Sequence, residues 1–208
     1  TPSGASGAIR CALHDRLAIE PLTRTVNGPM EDLVLAVTTR ECIALRGLCP
    51  TIDLAMIECL TDETWFAVPS AITADPLAAE VRLVLIFQHG EHVLIDEIGR
   101  FAVDRPLPPE AFAAGKGFVG LKRHVEQLAR EQLATEQGAG SCLCELAGYA
   151  FDPLVSANHF FLAYRCRPKV TDGQLPAPLA GGSWVPAHTL SQLVHAPTQR
   201  WFLPLVTR

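Results

Sequence analysis

Apolar and polar positions divide this chain into a weakly patterned first part and a second part whose periods are easy to follow. VRLVLIF (81–87) is a branched, apolar run, Gln88-His89-Gly90 supplies turn formers, and HVLIDEI (92–98) resumes the run. Two such runs around a short turn predict a β-hairpin. The Pro-rich residues 105–110 and the glycines at 115, 117 and 120 predict a loop ahead of a helix. From 117 to 139, Val119, Leu121, Val125, Leu128, Ala129 and Leu133 recur at helical spacing, and Gly138 is a natural terminator. This amphipathic pattern turns Val125, Leu128 and Leu133 toward a core and Lys122, Arg123 and Arg130 toward solvent. SCLCELAGYAF (141–151) and NHFFLAYRCR (158–167) predict two further strands. A Pro- and Gly-rich loop over 168–182 leads to Trp184-Val185-Pro186, a short helix over 189–194 and a last helix near 199–206.

The first part gives less. Residues 1–8 are small and polar, and 9–22 read as an extended arm running into an IEPLT turn (19–23). Gly28-Pro29, the acidic Glu31 and Asp32 and the later Gly47 are helix start and stop signals, which predict a helix within 28–47. The β-branched content of LVLAVTT (33–39) leaves a hairpin open there. Residues 52–60 and 65–68 are apolar enough to pack against something, and Asp75-Pro76 marks a boundary. The expected division is an N-terminal arm and extension over 1–78 and a domain over 79–208.

The helical segment also carries a spaced set: Gly117, Arg123, Glu131, Gln132, Leu133, Thr135, Glu136 and Gly138. It resembles in frame the Nudix box, G-x5-E-x7-R-E-U-x-E-E-x-G-U, where U is a bulky apolar residue. Gly117 takes the first glycine, Leu133 the apolar site, Glu136 the last glutamate and Gly138 the closing glycine. Arg123 stands in place of the first Glu, Glu131 of the Arg, Gln132 of the next Glu, and Thr135 of another. In Nudix hydrolases one helix face carries glutamates that hold Mg²⁺, a hard ion that wants carboxylate oxygens. On a continuous helix, 132, 135 and 136 would project together, but Gln132 and Thr135 offer no charge. Sliding the register does not help, because Glu131 and Glu136 would lie about 140° apart around a helix axis. Glu126, four residues before Arg130, suits a surface ion pair.

Strand, strand, helix, strand, strand and then W-V-P-x-x-x-L (184–190) is the Nudix order. The resemblance therefore implies an α/β (α+β) fold, a Nudix-like mixed sheet flanked by helices, behind an N-terminal extension. A closer resemblance is to a family of Nudix-like mitochondrial large-subunit ribosomal proteins at the central protuberance. It is carried by GAIRCALHDRLAIEPLT (7–23), EQLATEQGAGSCLCELAGYAFDP (131–153), ANHFFLAYRCRPKVTDGQL (157–175) and SWVPAHTLSQLVHAPTQRWFLPLV (183–206). Residues 30–76 are shorter and more apolar than that family's charged helical segment.

Composition adds limits. The 208 residues are 49% hydrophobic and 19% charged, enough for a real core and unlike a disordered tail. No apolar run approaches membrane-spanning length, so no membrane insertion is expected. Residues 1–8 do not read as a secretory signal, and a start at Thr1 without Met is compatible with a removed targeting sequence or a shortened chain. Cys11, Cys42, Cys49, Cys59, Cys142, Cys144 and Cys166 include no C-x2-C pair. Zinc binding through Cys42, Cys49 and Cys59 is disfavoured by their spacing. Cys142 and Cys144 would share one side of a strand, as small core residues in a reducing compartment.

The formal charge of −5 sits in the first part, where residues 1–78 hold five Arg and no Lys against ten Asp plus Glu. That disfavours an extended nucleic-acid surface there. The basic groups at Lys116, Lys122, Arg123 and His124, and at Arg165, Arg167 and Lys169, read as solvated charges before phosphate contacts.

The resemblance implies a non-catalytic component of the mitochondrial ribosome in the matrix, binding neighbouring ribosomal proteins with minor rRNA contact. No cofactor and no metal are expected. A Nudix-derived subunit of another organellar assembly stands close behind. A Nudix hydrolase of nucleoside diphosphate derivatives with an atypical site, and a metal-free nucleotide sensor, are the competing classes.

Overall fold

A computed structural model describes residues 32–39, 47–50, 64–112, 117–134, 142–151, 158–170, 175, 177–178 and 181–206. All of them belong to one compact unit, Glu31–Arg208. Its strands are β1 (Val34–Thr38), β2 (Gly47–Cys49), β3 (Thr64–Ala67), β4 (Ala78–His89), β5 (His92–Ile95), β6 (Ala102–Pro106), β7 (Leu133–Ala134), β8 (Cys142–Phe151), β9 (His159–Pro168), β10 (Ala177–Pro178) and β11 (Ser183–Pro186). Its helices are α1 (Pro69–Ala74), α2 (Gly117–Gln132), α3 (Leu190–Leu193) and α4 (Pro197–Arg200), with 3-10 turns at Pro109–Phe112, Ala187–Thr189 and Leu203–Leu205.

The long strand β4 organises a mixed sheet. One edge pairs in turn with β1, β6 and β5, all antiparallel, and the other runs parallel to β9 from Glu80↔His159 to Phe87↔Cys166. Outward from β9 come β8 and β2, while β11 closes the far side against β5 and β3 adds to β1. Because β4 is covered on both faces, VRLVLIF, apart from Arg82, reads as an apolar run with no alternation.

On one face Val81, Leu83, Leu85 and Phe87 pack with Phe160, Leu162, Tyr164 and Phe151 beneath Leu121, Val125, Ala129 and Leu133 of the α2 segment. On the other, Val84, Ile86, Phe161 and Ala163 meet Leu190, Val194, Phe202, Leu205 and Val206. The result is a sheet sandwiched between α2 and the short C-terminal helices. Gln199 ties this last layer down. Its Oε1 accepts from the N–H groups of Phe101 (3.1 Å) and Ala102 (2.9 Å), and its Nε2 donates to the Ala102 carbonyl at 2.8 Å.

The 81–98 hairpin, the 117-onward helix and the two later strands form as the pattern predicts. Three expectations change. Residues 34–38 form a strand where a helix was expected, in keeping with the strand alternative left open there, and β1 pairs antiparallel with β3 and β4. Cross-strand burial of a Val- and Thr-rich segment outweighs the helix signals around it. The division at 78/79 does not separate compact units, since β1 and β3 belong to the sheet of β4. The last helix stops at Arg200 and resumes as a 3-10 turn, because Pro204 has no N–H to donate to the Arg200 carbonyl. The expected arm over 1–23 and the apolar segment 52–60 lie outside the described residues.

Candidate functional site

Apolar spacing fixes the orientation of α2. Leu121, Val125, Ala129 and Leu133 are buried, and Leu128 is half-buried against the same core. Lys122, Arg123, Gln127, Arg130 and Glu131 are exposed, as expected of the opposite face. Gly117 opens the helix. Arg123 therefore sits in solvent at the first carboxylate position of the Nudix frame. Glu131 accepts a hydrogen bond from Gln127 Nε2 at 3.0 Å, one turn back on its own helix. Gln132, half-buried, is the last helical residue.

The helix ends earlier than the frame requires. Leu133 and Ala134 are extended and pair with Pro178 and Ala177 of β10, so the helical face expected to align 132, 135 and 136 is not continued past 132. Strand pairing, not Gly138, terminates it. Thr135, Glu136 and Gly138 lie outside the described residues. The expected Glu126–Arg130 ion pair is replaced by two contacts: Arg130 Nε donates to the Glu126 backbone carbonyl at 3.0 Å, and the Glu126 carboxylate is 4.0 Å from Lys122 Nζ. Burial pushes the half-buried His124 below the usual imidazole range against the pull of Glu131 and Glu110, so it is neutral near pH 7.

The basic groups of the 165–169 stretch are largely used internally. Arg165 donates to the Leu205 carbonyl, and Arg167 Nη1 lies 3.3 Å from Glu145 Oε2. Lys116 lies outside the described residues.

Two groupings were missed in the sequence. On the C-terminal-helix face of the sheet, Arg82 bridges Glu80 and Asp104 at 2.7 Å each, and His159 Nε2 lies 3.7 Å from Glu80. Burial lowers His159 despite Glu80, so Arg82 is the cation between two carboxylates, and its ion pairs tie β4 to β6. Only the register Glu80↔His159 brings these residues together, and no local spacing announces it.

The second grouping is of sulfur. Cys142 and Cys144 point to one face of β8, as expected, and Cys166 lies directly across from Cys144 on β9. The three Sγ atoms lie within 4.8 Å of one another, with Cys144 and Cys166 3.6 Å apart. Shared S–H interactions with Cys144 and Cys166 push the Cys142 thiol down, and its partners move up. Among the described residues this is the one cluster of metal-ligating side chains. Cys49 is half-buried, and Cys42 and Cys59 lie outside the described residues. No helix among the described residues is long and apolar enough to cross a membrane.

No protein-family model matches the sequence, and no curated protein matches it. Among solved structures, the chain is similar to Tm1382, described as a candidate Nudix hydrolase. The TM-score is 0.64 at 13% identity, over 84% of this chain and 98% of that one. At that identity the likeness speaks for architecture alone. Together with the strand order and the position of α2, it shows that this chain has a Nudix-like fold.

Proposed function

We propose that this chain is a non-catalytic Nudix-fold component of the mitochondrial ribosome's large subunit, acting in the matrix by binding neighbouring ribosomal proteins. The observation that carries the non-catalytic part is the polar face of α2. Arg123 occupies a carboxylate position, Gln132 another, and Glu131 is engaged by Gln127. A hard divalent ion needs several oxygen ligands, and this face offers none in a cluster. The assembly part is supported by the resemblance carried by residues 7–23, 131–153, 157–175 and 183–206. Arg165 and Arg167 are drawn into contacts within the chain, which favours protein neighbours, with rRNA contact minor.

Sedimentation of an epitope-tagged chain from lysed mitochondria tests the assembly role: it should travel with the large ribosomal subunit. Migration with a different organellar particle would overturn the ribosomal assignment, and a free monomer would overturn the assembly role altogether. For the chemistry, the purified protein should not turn over nucleoside diphosphate sugars, dinucleotides or nucleotides with Mg²⁺ or Mn²⁺. Turnover abolished by Glu136→Gln would overturn the non-catalytic reading.

A further inference from the structure

We infer that Cys142, Cys144 and Cys166 form a three-sulfur site for a soft d10 cation beneath α2, a role independent of the ribosomal reading. Alternation along β8 puts Cys142 and Cys144 on one face, and the β8–β9 register puts Cys166 opposite Cys144. Both strands belong to the central sheet, so the sulfurs are carried by backbone already fixed by strand pairing.

Their spacing suits one ion. Thiolates about 2.3 Å from a metal stand roughly 3.8–4.0 Å from one another in tetrahedral or trigonal arrangements. The Sγ atoms here lie within 4.8 Å, one pair at 3.6 Å, so small side-chain rotations close the set. The donors are all sulfur, which selects Cu⁺ or Zn²⁺ over Mg²⁺, Ca²⁺ or Mn²⁺. Zn²⁺ in structural sites takes four ligands, and the described residues supply three, which fits Cu⁺. The higher charge of Zn²⁺ better neutralises buried thiolates. From α2, Lys122 acts favourably on negative charge at Cys144, while Glu126 acts against it at Cys142. Cys142 is 8% exposed against 4% and 0% for Cys144 and Cys166, so an ion would load from the Cys142 end. Binding replaces S–H protons by the cation, and those protons pass to buffer.

A disulfide is the competing use of these thiols, because Cys144 and Cys166 are cross-strand partners. It would leave Cys142 out and prevent binding.

The test uses the full chain, reduced and metal-free under anaerobic conditions. One arm titrates Cu⁺ from a colorimetric chelator, and a second titrates Zn²⁺. Cd²⁺ serves as a spectroscopic probe through its thiolate charge-transfer band. The expected result is one equivalent of Cu⁺ or Zn²⁺ per chain, retained when Cys11, Cys42, Cys49 and Cys59 are all replaced by Ser. Sulfur-only coordination should appear by X-ray absorption, and Cys144→Ser should abolish tight binding. Should Cys144→Ser fail to fold, thiol alkylation of the four-Ser variant in mild denaturant decides: the metal must slow modification of all three remaining thiols relative to the metal-free protein. Stoichiometric binding of neither ion, loss of binding in the four-Ser variant, or a Cys144–Cys166 disulfide that persists in mild reductant would each overturn the site.

Discussion

Replacing Gln199 by Leu isolates the polar tie between the C-terminal helices and the sheet. The side chain is buried, accepts from two backbone N–H groups with one oxygen and donates to the Ala102 carbonyl. Leu keeps the volume and removes all three hydrogen bonds, stranding the N–H groups of Phe101 and Ala102 and one carbonyl. A stranded buried group costs about 1–3 kcal/mol. Three stranded groups at the low end of that range place the net cost of Gln199→Leu at about 3 kcal/mol, a large part of the roughly 5–15 kcal/mol typical of a domain. With a urea slope of about 2 kcal/mol/M, the unfolding midpoint should fall by about 1.5 M. Urea titration followed by tryptophan fluorescence reads this directly, since half-buried Trp201 lies two residues away. A change within about 0.5 kcal/mol would refute the role given to the amide.

Gln199→Glu checks the donor half of the same argument. The introduced carboxylate can still accept from both N–H groups but faces the Ala102 carbonyl without a proton, so its pKa rises in the folded state. A carboxyl group with a raised folded pKa binds more protons folded than unfolded, and stability rises as pH falls. The deficit of this variant against wild type should therefore shrink between about pH 7 and pH 5.

Burial raises the Asp96 carboxyl, but hydrogen bonds from the backbone and side chain of Arg100 and the backbone of Ile98 prevail and hold it below the usual range. Its stabilisation is present above the ordinary carboxylate pKa and lost as pH falls through the depressed one. Asp96→Asn should destabilise at neutral pH with a difference that vanishes in acid melts, and a pH-independent difference would contradict this. At Gly148 an added Cβ would stand 2.5 Å from the Cys49 carbonyl. Gly148→Ala should therefore cost about 1–3 kcal/mol and loosen β2, which hydrogen exchange at Leu48 can follow; unchanged protection would show that β2 tolerates the methyl. Leu128→Ala should cost about 2 kcal/mol, at the low end for a core truncation because Leu128 is half-buried, and less than Leu83→Ala. The reverse order in chemical denaturation would mean that α2 is rotated on the sheet. Deleting residues 1–23 should leave the Glu31–Arg208 unit folded while lowering incorporation into its particle, and incorporation equal to full length in gradients would remove the arm's role.

The elements legible in the sequence were those whose side chains face one environment along their whole length. Val81 and the run from Leu83 to Phe87 are buried on both faces of the sheet, so the apolar run survives any detail of neighbouring strands. The stripe Leu121, Val125, Ala129 faces one core and fixes the helix. By contrast, β6 was hidden because Asp104 and Arg105 interrupt its pattern beside Pro-rich residues, although Phe101, Ala102 and Leu107 around it are buried. The strand at 34–38 depends on partners at 64–67 and 78–80, a non-local cause that local capping signals cannot register. The sulfur cluster falls in the same class. Spacing put Cys142 and Cys144 on one side, but Cys166 joins them only through register across two strands.

The same distinction separates the fold from the chemistry on α2. Packing constrains Leu121, Val125, Ala129 and Leu133, each of which fills space against β4, β8 and β9. Positions 123 and 131 are exposed, where exchange of a carboxylate for another polar group changes stability by about 0.5 kcal/mol or less. Carboxylates clustered for Mg²⁺ repel one another and add nothing to the core, so the fold has no thermodynamic need of them. A chain can therefore have a Nudix-like fold, at a TM-score of 0.64 to a solved structure, with Arg123 and Gln132 where the sequence resemblance aligns carboxylates. Under the proposed assembly role, the exposed Lys122, Arg123 and Arg130 of this helix are where an acidic protein neighbour would be met through charge. Reversing those charges together should then weaken particle incorporation while leaving the urea midpoint nearly unchanged, and a loss of stability in place of incorporation would assign the face to folding instead.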